Sequence, residues 1–480
     1  MSQVQRILKN ATALYVAEVV ARATLLIQLV LVARTLGATE YGKQALVLSV
    51  LAIAANFTDF GFSLLGVKLI AAKPHEINRI GSGMLIIKVA VGVVTALAII
   101  AFVLVTPVPA DLTSMYILSA LTLITTAYTT SMSSIFRGYE IMQYDAYGRI
   151  GIAVLTTSLG ALLLAMGYGI VTMVAMTSAL TIVNALYMYW INSRRKLFRF
   201  RRPDNNQEII DLFKLALPFV TLTVLVAISY RVDTVILGLF ENTDAVGQYN
   251  AGYRIFELFL IVPAIFAGVL LPATSARLHT DTTAVQTLTM TAVRYFSYLC
   301  FPLAVGLSLL AGPIITMFYG SKYPDSILVL QVMSFTLIPA FIAHITANVF
   351  HASSRPQLNT YIALFSVIFN VVVNLLLIPI FGLVGAAVTS VATQLVVLVI
   401  GATLINRHIF ALPYWRVLWR PIVASLVMAA SMLLYRSIWL VPVYMLVYMV
   451  ALYALRGFTE QDRQMLRAAL PQRRSGAVAR

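Results

Sequence analysis

The sequence predicts an all-α polytopic membrane protein with about fourteen transmembrane helices. Hydrophobic residues make up 60% of the 480 residues and charged residues only 11%, whereas soluble domains carry about 25% charged residues. Apolar runs long enough to cross a hydrocarbon core of about 30 Å recur along the whole chain. The loops between these runs alternate between rich and poor in basic residues. Together these observations predict a bundle of helices inserted in a bilayer.

Polar residues, glycines and prolines divide the chain into individual spans. The first span contains Glu18 and Arg22 and has no small-residue cleavage site, so we predict that it is retained rather than removed as a signal peptide. The predicted spans start near Ala11, Tyr41, Ser82, Ser114, Gly148, Gly169, Leu212, Val246, Thr291, Ile327, Leu358, Leu383, Pro421 and Trp439.

The distribution of basic residues predicts the orientation of these spans. One set of loops holds most of the arginine and lysine, including the run SRRKLFRFRR at 193–202, while opposite loops such as LFENTDAVG at 239–247 are short and poor in basic residues. The positive-inside rule therefore predicts that both termini are cytoplasmic. We interpret the net charge of +16 as this topology signal, which also contacts anionic lipid, rather than as a nucleic-acid surface.

Two pairs of segments indicate an internal repeat with an offset of roughly two hundred residues. ARTLGATEYGKQA (33–45) is similar to VILGLFENTDAVGQYNA (235–251), since both contain Leu-Gly, an acidic turn and a glycine that leads into the next span. MGYGIVTMVAMTS (166–178) is similar to IFGLVGAAVTS (380–390). Chance similarity between apolar segments is the alternative.

The repeat predicts two lobes of six helices each. Parallel repeats of this kind face one another across a central cavity. A basic cytoplasmic linker joins the lobes, and two further spans and a basic cytoplasmic tail follow the second lobe. The predicted boundaries are 1–192 for the N-lobe, 193–211 for the linker, 212–406 for the C-lobe, 407–456 for the extra spans and 457–480 for the tail.

Four regions together resemble a known family. They are ARTLGATEYGKQALV (33–47), FTDFGF (57–62), FRGYEIMQYDAYGRIG (136–151), and YRVDTVILG (230–238) followed by VGQYNAGYRI (246–255). In order and spacing they resemble the polysaccharide exporters of the multidrug/oligosaccharidyl-lipid/polysaccharide (MOP) superfamily, the lipid-linked oligosaccharide flippases.

The resemblance implies a two-lobed transporter that works by alternating access in the bacterial inner membrane. Its implied substrate is a polyprenyl-pyrophosphate-linked oligosaccharide, a repeat unit of a surface polysaccharide, which moves from the cytoplasmic to the outer leaflet. A polysaccharide polymerase, chain-length machinery and membrane lipids are the partners that the resemblance implies. H⁺ or Na⁺ is a candidate coupling ion, and no cofactor is implied.

Charged residues inside the predicted spans are the candidate site, because ionisable groups at that depth usually line water-filled cavities. Arg231 and Asp233 on the seventh span lie two residues apart and point to opposite sides of a helix. Across the hairpin, Arg254 and Glu257 on the eighth span lie at matching depths at 1.5 Å per residue. We therefore predict the pairs Asp233–Arg254 and Arg231–Glu257.

The first lobe contains a second group of charges. Glu18 and Arg22 are four residues apart, which is the spacing of an ion pair on one helical face. Asp59 near the end of the second span and Lys88 on the third are predicted to meet this pair at the inner half of the cavity.

These charges predict how an anionic substrate is tolerated. A pyrophosphate carries at least two negative charges, which are costly in a low dielectric, and arginine offers phosphate a bidentate donor. The alternative is that the acids only neutralise the bases and hold helices together. The predicted substrate-binding cations are Arg22, Lys88, Arg231 and Arg254. The predicted gate or coupling acids are Glu18, Asp59, Asp233 and Glu257.

Motifs of enzymes are absent from the sequence. It contains no Walker A motif, dinucleotide-binding loop, zinc-binding set or nucleophile elbow, so we predict a transporter with no metal site rather than an enzyme. A cation-coupled multidrug antiporter is the first alternative, although its cavity should be dominated by acids. A membrane glycan polymerase or ligase is the second, although its outer loops should be longer.

Asn370 and Asn374 are predicted to form inter-helix hydrogen bonds.

Overall fold

The computed structural model describes residues 3–458 apart from 204, 279 and 354–356. The prediction of an all-α protein is confirmed, because the described residues form α-helices and two short 3-10 helices and contain no strand. The helices are α1 (Gln3–Leu36), α2 (Ala38–Asp59), α3 (Phe62–Ala72), α4 (Ile77–Val105), α5 (Ala110–Gly138), α6 (Gln143–Ala165), α7 (Ile170–Arg195), α8 (Asn206–Phe240), α9 (Thr243–Phe259), α10 (Ile261–Arg277), α11 (Thr282–Leu309), α12 (Ala311–Tyr319), α13 (Pro324–Ser334), α14 (Leu337–Ala352), α15 (Gln357–His408), α16 (Trp415–Leu434) and α17 (Val441–Ala454).

The helices include many that can cross a membrane. In the described part of the chain, 10 helices are long and apolar enough, or up to 11 if α13 and α14, which meet at 42°, form one broken span. This establishes a multi-pass membrane protein. The count of fourteen and the cytoplasmic termini remain predictions, because length and composition alone do not resolve the broken helices into single crossings. Residues 459–480 of the predicted tail lie outside the described residues.

Helix α15 illustrates this difficulty. Its 52 residues would extend about 78 Å as one straight helix, which is more than twice the hydrocarbon thickness. Gly382 interrupts the helical dihedral angles with φ 55° and ψ −134°. The break coincides with the predicted loop between the spans that start near Leu358 and Leu383. Helix α15 therefore contains two span-length helices.

A second break separates α2 from α3. Phe60 and Gly61 adopt left-handed backbone conformations with φ 50° and φ 72°. A Cβ atom on Gly61 would lie 2.5 Å from Cβ of Phe219, so glycine is needed both for its conformation and for the close approach of α8. The turn places Asp59 at the end of α2, where its carboxylate accepts a hydrogen bond from the backbone N–H of Ser63 at 3.1 Å.

The helices divide into two compact units. Unit 1 consists of Met1–Arg254, Ile315–Val329 and Thr360–Thr393, and unit 2 consists of Ile255–Ile314, Leu330–Asn359 and Gln394–Arg480. In unit 1, α1 packs on α6, α4 and α7 pack on α5, and α2 packs on α8. In unit 2, α11 packs on α14 and α16. Unit 1 therefore contains helices of both predicted lobes, and the predicted lobe boundaries remain predictions.

The basic linker is fixed to unit 1. Asn192 donates to the backbone oxygen of Phe198 at 2.9 Å and accepts from its N–H at 3.0 Å, and the Phe198 ring is buried in a core cluster with Ile80 and Met188. Farther along, the N–H of Arg201 donates to the hydroxyl of Ser82 at 2.8 Å. These contacts attach the linker to α4 and α7.

Candidate functional site

Asp145, near the start of α6, is the centre of a buried hydrogen-bond network. Its carboxylate accepts hydrogen bonds from Ser133 Oγ at 2.7 Å, from Arg137 Nη2 at 3.0 Å and from Arg149 Nε at 3.1 Å. The Asp145 side chain is only 1% exposed. Two guanidinium groups from α5 and α6 thus share one buried counter-charge.

The network extends to α1 through Arg149. Its Nη1 atom lies 3.8 Å from Glu18 Oε2, and Glu18 Oε1 accepts a hydrogen bond from Arg22 Nε at 2.6 Å. We call the alternating series Arg137–Asp145–Arg149–Glu18–Arg22 the arginine chain. Its three guanidinium groups exceed its two carboxylates by one positive charge. Exposure rises from 1% at Asp145 to 38% at Arg149 and 53% at Arg22, so one end can contact a ligand.

Lys88 and Asp59 form a separate buried pair. Lys88 Nζ lies 2.8 Å from Asp59 Oδ1, and the Lys88 side chain is 0% exposed. Ser63 Oγ donates to the same carboxylate at 2.6 Å. The sequence predicts that these two residues meet, as members of a group of four.

The predicted meeting of this pair with Glu18 and Arg22 is wrong. Among the described residues, no hydrogen bond or ion pair joins the two pairs. The reason is helix packing, since α1 packs mainly on α6 whereas α4 packs on α5 and α2. Glu18 is therefore paired with a base of α6.

Asp233 on α8 contacts neutral groups. Its carboxylate accepts from Ser390 Oγ at 2.6 Å, from Asn374 Nδ2 at 2.7 Å and from the Tyr249 hydroxyl at 3.1 Å. Asn374 Nδ2 also donates to Asn370 Oδ1 within α15 at 3.0 Å, whereas its bond to Asp233 is an inter-helix hydrogen bond of the kind the sequence predicts. We call these five residues the Asp233 network. Its members come from α8, α9 and both sides of the Gly382 break in α15.

The predicted ion pair between Asp233 and Arg254 is wrong. Among the described residues, every hydrogen-bond partner of Asp233 is uncharged. Tyr249 occupies the face of α9 that meets Asp233, and Arg254, five residues later, projects about 140° around the helix from it. The prediction matches Asp233 and Arg254 by their depth along the helix axes and leaves out the direction in which each side chain points.

The Asp233 network contains an excess of acceptors. Asn374 Oδ1 is buried and has no hydrogen-bond partner among the described residues, although buried acceptors are normally satisfied. Carboxylate, amide and hydroxyl oxygens are ligands for hard cations. The described residues hold no group of three or more His, Cys, Asp or Glu side chains that could bind a metal ion. The arrangement suits a proton or a weakly held monovalent cation.

The remaining predicted site residues are half-buried. The guanidinium carbon of Arg231 lies 5.8 Å from the centre of the Tyr253 ring, a cation–π distance, and the Tyr253 hydroxyl donates to the backbone oxygen of Tyr230 at 3.0 Å. Arg254 and Glu257 lie on α9. The predicted pair between Arg231 and Glu257 remains a prediction.

Three members of the arginine chain were missed as site residues. From the sequence, Arg137, Asp145 and Arg149 are recognised only as parts of the family-like segment 136–151. The spacing of Asp145 and Arg149, with the acid four residues before the base, is the same as that of Glu18 and Arg22 and indicates a pair on one helical face.

Comparison with known proteins identifies the family. The family model "Polysaccharide biosynthesis protein" matches residues 7–278, more than half of the 480 residues. The chain belongs to this family. A second family model, "Lipid II flippase MurJ", matches residues 150–458 of the chain. The resemblance predicted from the sequence is therefore confirmed.

The chain matches curated archaeal proteins. It is 25% identical over 184 residues to the probable flippase AglR of Haloferax volcanii, covering 38% of this chain and 39% of the relative. It is 23% identical over 208 residues to the probable low-salt glycan biosynthesis flippase Agl15 of the same organism, covering 43% and 44%. The matches thus span about two fifths of these relatives. Both relatives are described as probable flippases, in agreement with the prediction of a transporter rather than an enzyme.

Solved structures share the fold. The inward closed conformation of the lipid II flippase MurJ matches with a TM-score of 0.74 at 15% identity, covering 96% of this chain and all of that one. An inward-facing MATE family transporter of the MOP superfamily matches with a TM-score of 0.66 at 14% identity, covering 87% and 96%. The chain therefore has the fold shared by these two transporters.

Proposed function

We propose that the protein flips a lipid-linked oligosaccharide from the cytoplasmic to the outer leaflet of a bacterial inner membrane by alternating access. The proposed substrate is a surface-polysaccharide repeat unit on a polyprenyl pyrophosphate. Family membership supports the glycan. The observation that carries the proposal is the arginine chain, which offers exposed, positively charged groups on membrane-crossing helices. In the outer leaflet, the product would be available to a polymerase.

The arginine chain suits a pyrophosphate for a physical reason. Transfer of an uncompensated anion into a low dielectric costs tens of kcal/mol by idealised Born estimates, so the head group needs a counter-charge along its path. Arg22 is exposed and Arg149 is half-buried, and both carry bidentate donors that fit phosphate oxygens. Their carboxylate partners hold them in position before the substrate arrives. We propose that the head group displaces Glu18 from Arg22 and bonds to both arginines.

Other predicted residues are proposed to act in later conformations. Arg231 and Arg254 are proposed to receive the head group as it moves outward. Lys88 is fully buried against Asp59, so it is proposed to contribute only after protonation of Asp59 releases it. Glu257 is proposed to act as a gate residue in the same manner as Glu18.

Asp233 is proposed to couple transport to H⁺ or Na⁺. An ionised carboxylate among neutral groups carries a large desolvation cost, which either a bound proton or a bound cation would remove. The unsatisfied oxygen of Asn374 offers such a cation a second ligand. Occupation and release of this position would then change the contacts between α8 and α15, which supports a coupling role.

Reconstitution tests the proposed function directly. Vesicles that contain the purified protein should expose a lipid-linked oligosaccharide to an impermeant glycan-modifying reagent, whereas vesicles without the protein or with Arg22→Ala should not. A deletion strain should accumulate the unexported glycan on its carrier inside the cell. Sensitivity of that strain to cationic dyes, with normal glycan export, would contradict the flippase proposal and support a multidrug antiporter.

A further inference from the structure

A cleft between α6 and α7 lies apart from the arginine chain. Its volume is about 600 Å³, and its lining consists of Ile191, four aromatic side chains and two arginines. Tyr144 lines the cleft while its neighbour Asp145 belongs to the arginine chain, because successive residues on a helix point about 100° apart. Tyr147, three residues after Tyr144, returns to the same face of α6. The cleft and the arginine chain thus occupy different sides of this helix.

Aromatic side chains hold the two arginines of the cleft. Arg195 Nη2 donates to the Tyr144 hydroxyl at 2.5 Å, and the guanidinium carbon of Arg194 lies 5.4 Å from the centre of the Trp190 ring. The Tyr187 hydroxyl in turn donates to the backbone oxygen of Tyr144 at 3.2 Å. The cleft therefore has fixed walls that orient both guanidinium groups.

The charges of these arginines are not neutralised by acids. In the part of the chain that the structure describes, neither Arg194 nor Arg195 forms an ion pair, whereas Arg79, Arg137 and Arg149 all do. Contact with a ring face uses only the face of a guanidinium group. Arg195 spends one in-plane N–H on the Tyr144 hydroxyl, and the other N–H donors of the two guanidinium groups can bond to an anion. Two such groups that line one cleft suit the oxygens of a phosphate.

The surroundings of the cleft are those of a membrane interface. Tyr147 is 59% exposed and Trp190 is 52% exposed, and exposed aromatic rings of this type are typical of the head-group level of a bilayer. Arg194 and Arg195 end α7 and belong to the basic run that predicts a cytoplasmic position. A soluble anion would not need the exposed rings, but a lipid would place its chains against them.

We propose that this cleft binds the phosphate head group of a lipid in the cytoplasmic leaflet. The phosphate bonds to Arg194 and Arg195, and the lipid chains lie along Tyr147 and Trp190. An anionic phospholipid and the polyprenyl pyrophosphate carrier share this chemistry. If the carrier binds, the cleft is a loading position for the proposed function. Binding itself does not depend on transport.

Lipid binding to the purified full-length protein tests this proposal. Native mass spectrometry would compare phosphatidylglycerol, phosphatidylcholine and sugar-free polyprenyl pyrophosphate, with inorganic pyrophosphate as a soluble competitor. Arg194→Gln/Arg195→Gln is compared with Arg199→Gln/Arg202→Gln, which removes the same charge from exposed positions of the same run outside the cleft. We expect the first variant to lose at least about tenfold more affinity for phosphate-bearing anionic lipid than the control.

Each outcome has a defined meaning. If the cleft variant loses binding of phosphatidylglycerol selectively, the cleft is a phospholipid site. If it loses binding of polyprenyl pyrophosphate selectively, the cleft is a loading site. Equal losses of lipid affinity in the two variants would overturn the proposal of a binding cleft and indicate diffuse electrostatic attraction by the basic run. Equally tight binding of inorganic pyrophosphate would overturn the role of the lipid. Since flipping is not measured, a failure here leaves the proposed function to its own test.

Discussion

Gly42 and Gly247 contact each other reciprocally at the point where α2 and α9 cross. A Cβ atom on Gly42 would lie 1.7 Å from the backbone oxygen of Thr243, and a Cβ atom on Gly247 would lie 2.0 Å from the backbone oxygen of Ala38. Ala38 lies four residues before Gly42, and Thr243 lies four residues before Gly247, which is about one helical turn in each case. The two repeat segments thus supply equivalent halves of one crossing, on the side predicted to be outside.

Substitution of either glycine should weaken closure of the outer side. The side chains of Thr39 and Asp244 lie 3.3 Å apart next to this crossing, so the pair Thr39→Cys/Asp244→Cys in a Cys300→Ala background should form a disulfide readily. Overpacking by one methyl group costs about 1–3 kcal/mol, so Gly42→Ala or Gly247→Ala should slow disulfide formation roughly tenfold. Gly151→Ala is the control, because a Cβ atom there meets no other atom within 4 Å. An unchanged rate would argue against a closing role.

Arg22→Ala should abolish flipping with little loss of stability. Its ion pair with Glu18 is exposed and contributes about 0–1 kcal/mol. Arg79 is a matched control, since it is 52% exposed and pairs with Glu208 at 3.0 Å. Flipping by Arg79→Ala should remain near the wild-type rate, and Arg22→Lys should retain part of it. Equal rates for both alanine variants would exclude Arg22 from substrate binding.

Lys88 and Asp59 should behave as a coupled buried pair. Lys88→Met leaves Asp59 without its counter-charge and should lower the free energy of unfolding by about 3–5 kcal/mol. Asp59→Leu/Lys88→Met should recover most of that loss, as measured by thermal unfolding in detergent. The flipping rate of the double variant then separates two roles. A stable but inactive protein supports the proposed release of Lys88, and a stable, fully active one would show that the pair is only structural.

Asp233→Asn should preserve the fold and remove ion coupling. An asparagine has the same shape as the carboxyl group but neither binds a proton nor supplies an anionic ligand. Flipping in vesicles should therefore lose its response to an imposed H⁺ or Na⁺ gradient. Asp325→Asn, which neutralises an exposed acid, should keep that response. A normal response in Asp233→Asn would contradict the coupling proposal.

The sequence could predict contacts that depend on local spacing. The Glu18–Arg22 pair follows from helical periodicity. The repeat marks Gly42 and Gly247 as equivalent positions, but their contact is seen only in the structure. Asp233 shows the limit of this reasoning. Two of its partners, Asn374 and Ser390, lie 141 and 157 residues away along the chain, so only the tertiary packing of α15 on α8 brings them together. A charge was expected where hydroxyl and amide groups are found.

The attachment of the linker at Asn192 and Phe198 has a mechanical consequence. A slack tether would let α8 tilt without disturbing the helices before it. Here Asn192 forms hydrogen bonds with both backbone groups of Phe198, and the N–H of Arg201 bonds to Ser82 of α4. Helix α8 begins shortly afterwards, at Asn206. Because Arg201 is bonded to α4 shortly before α8 begins, we expect a tilt of α8 to be transmitted to α4, the helix that carries Lys88.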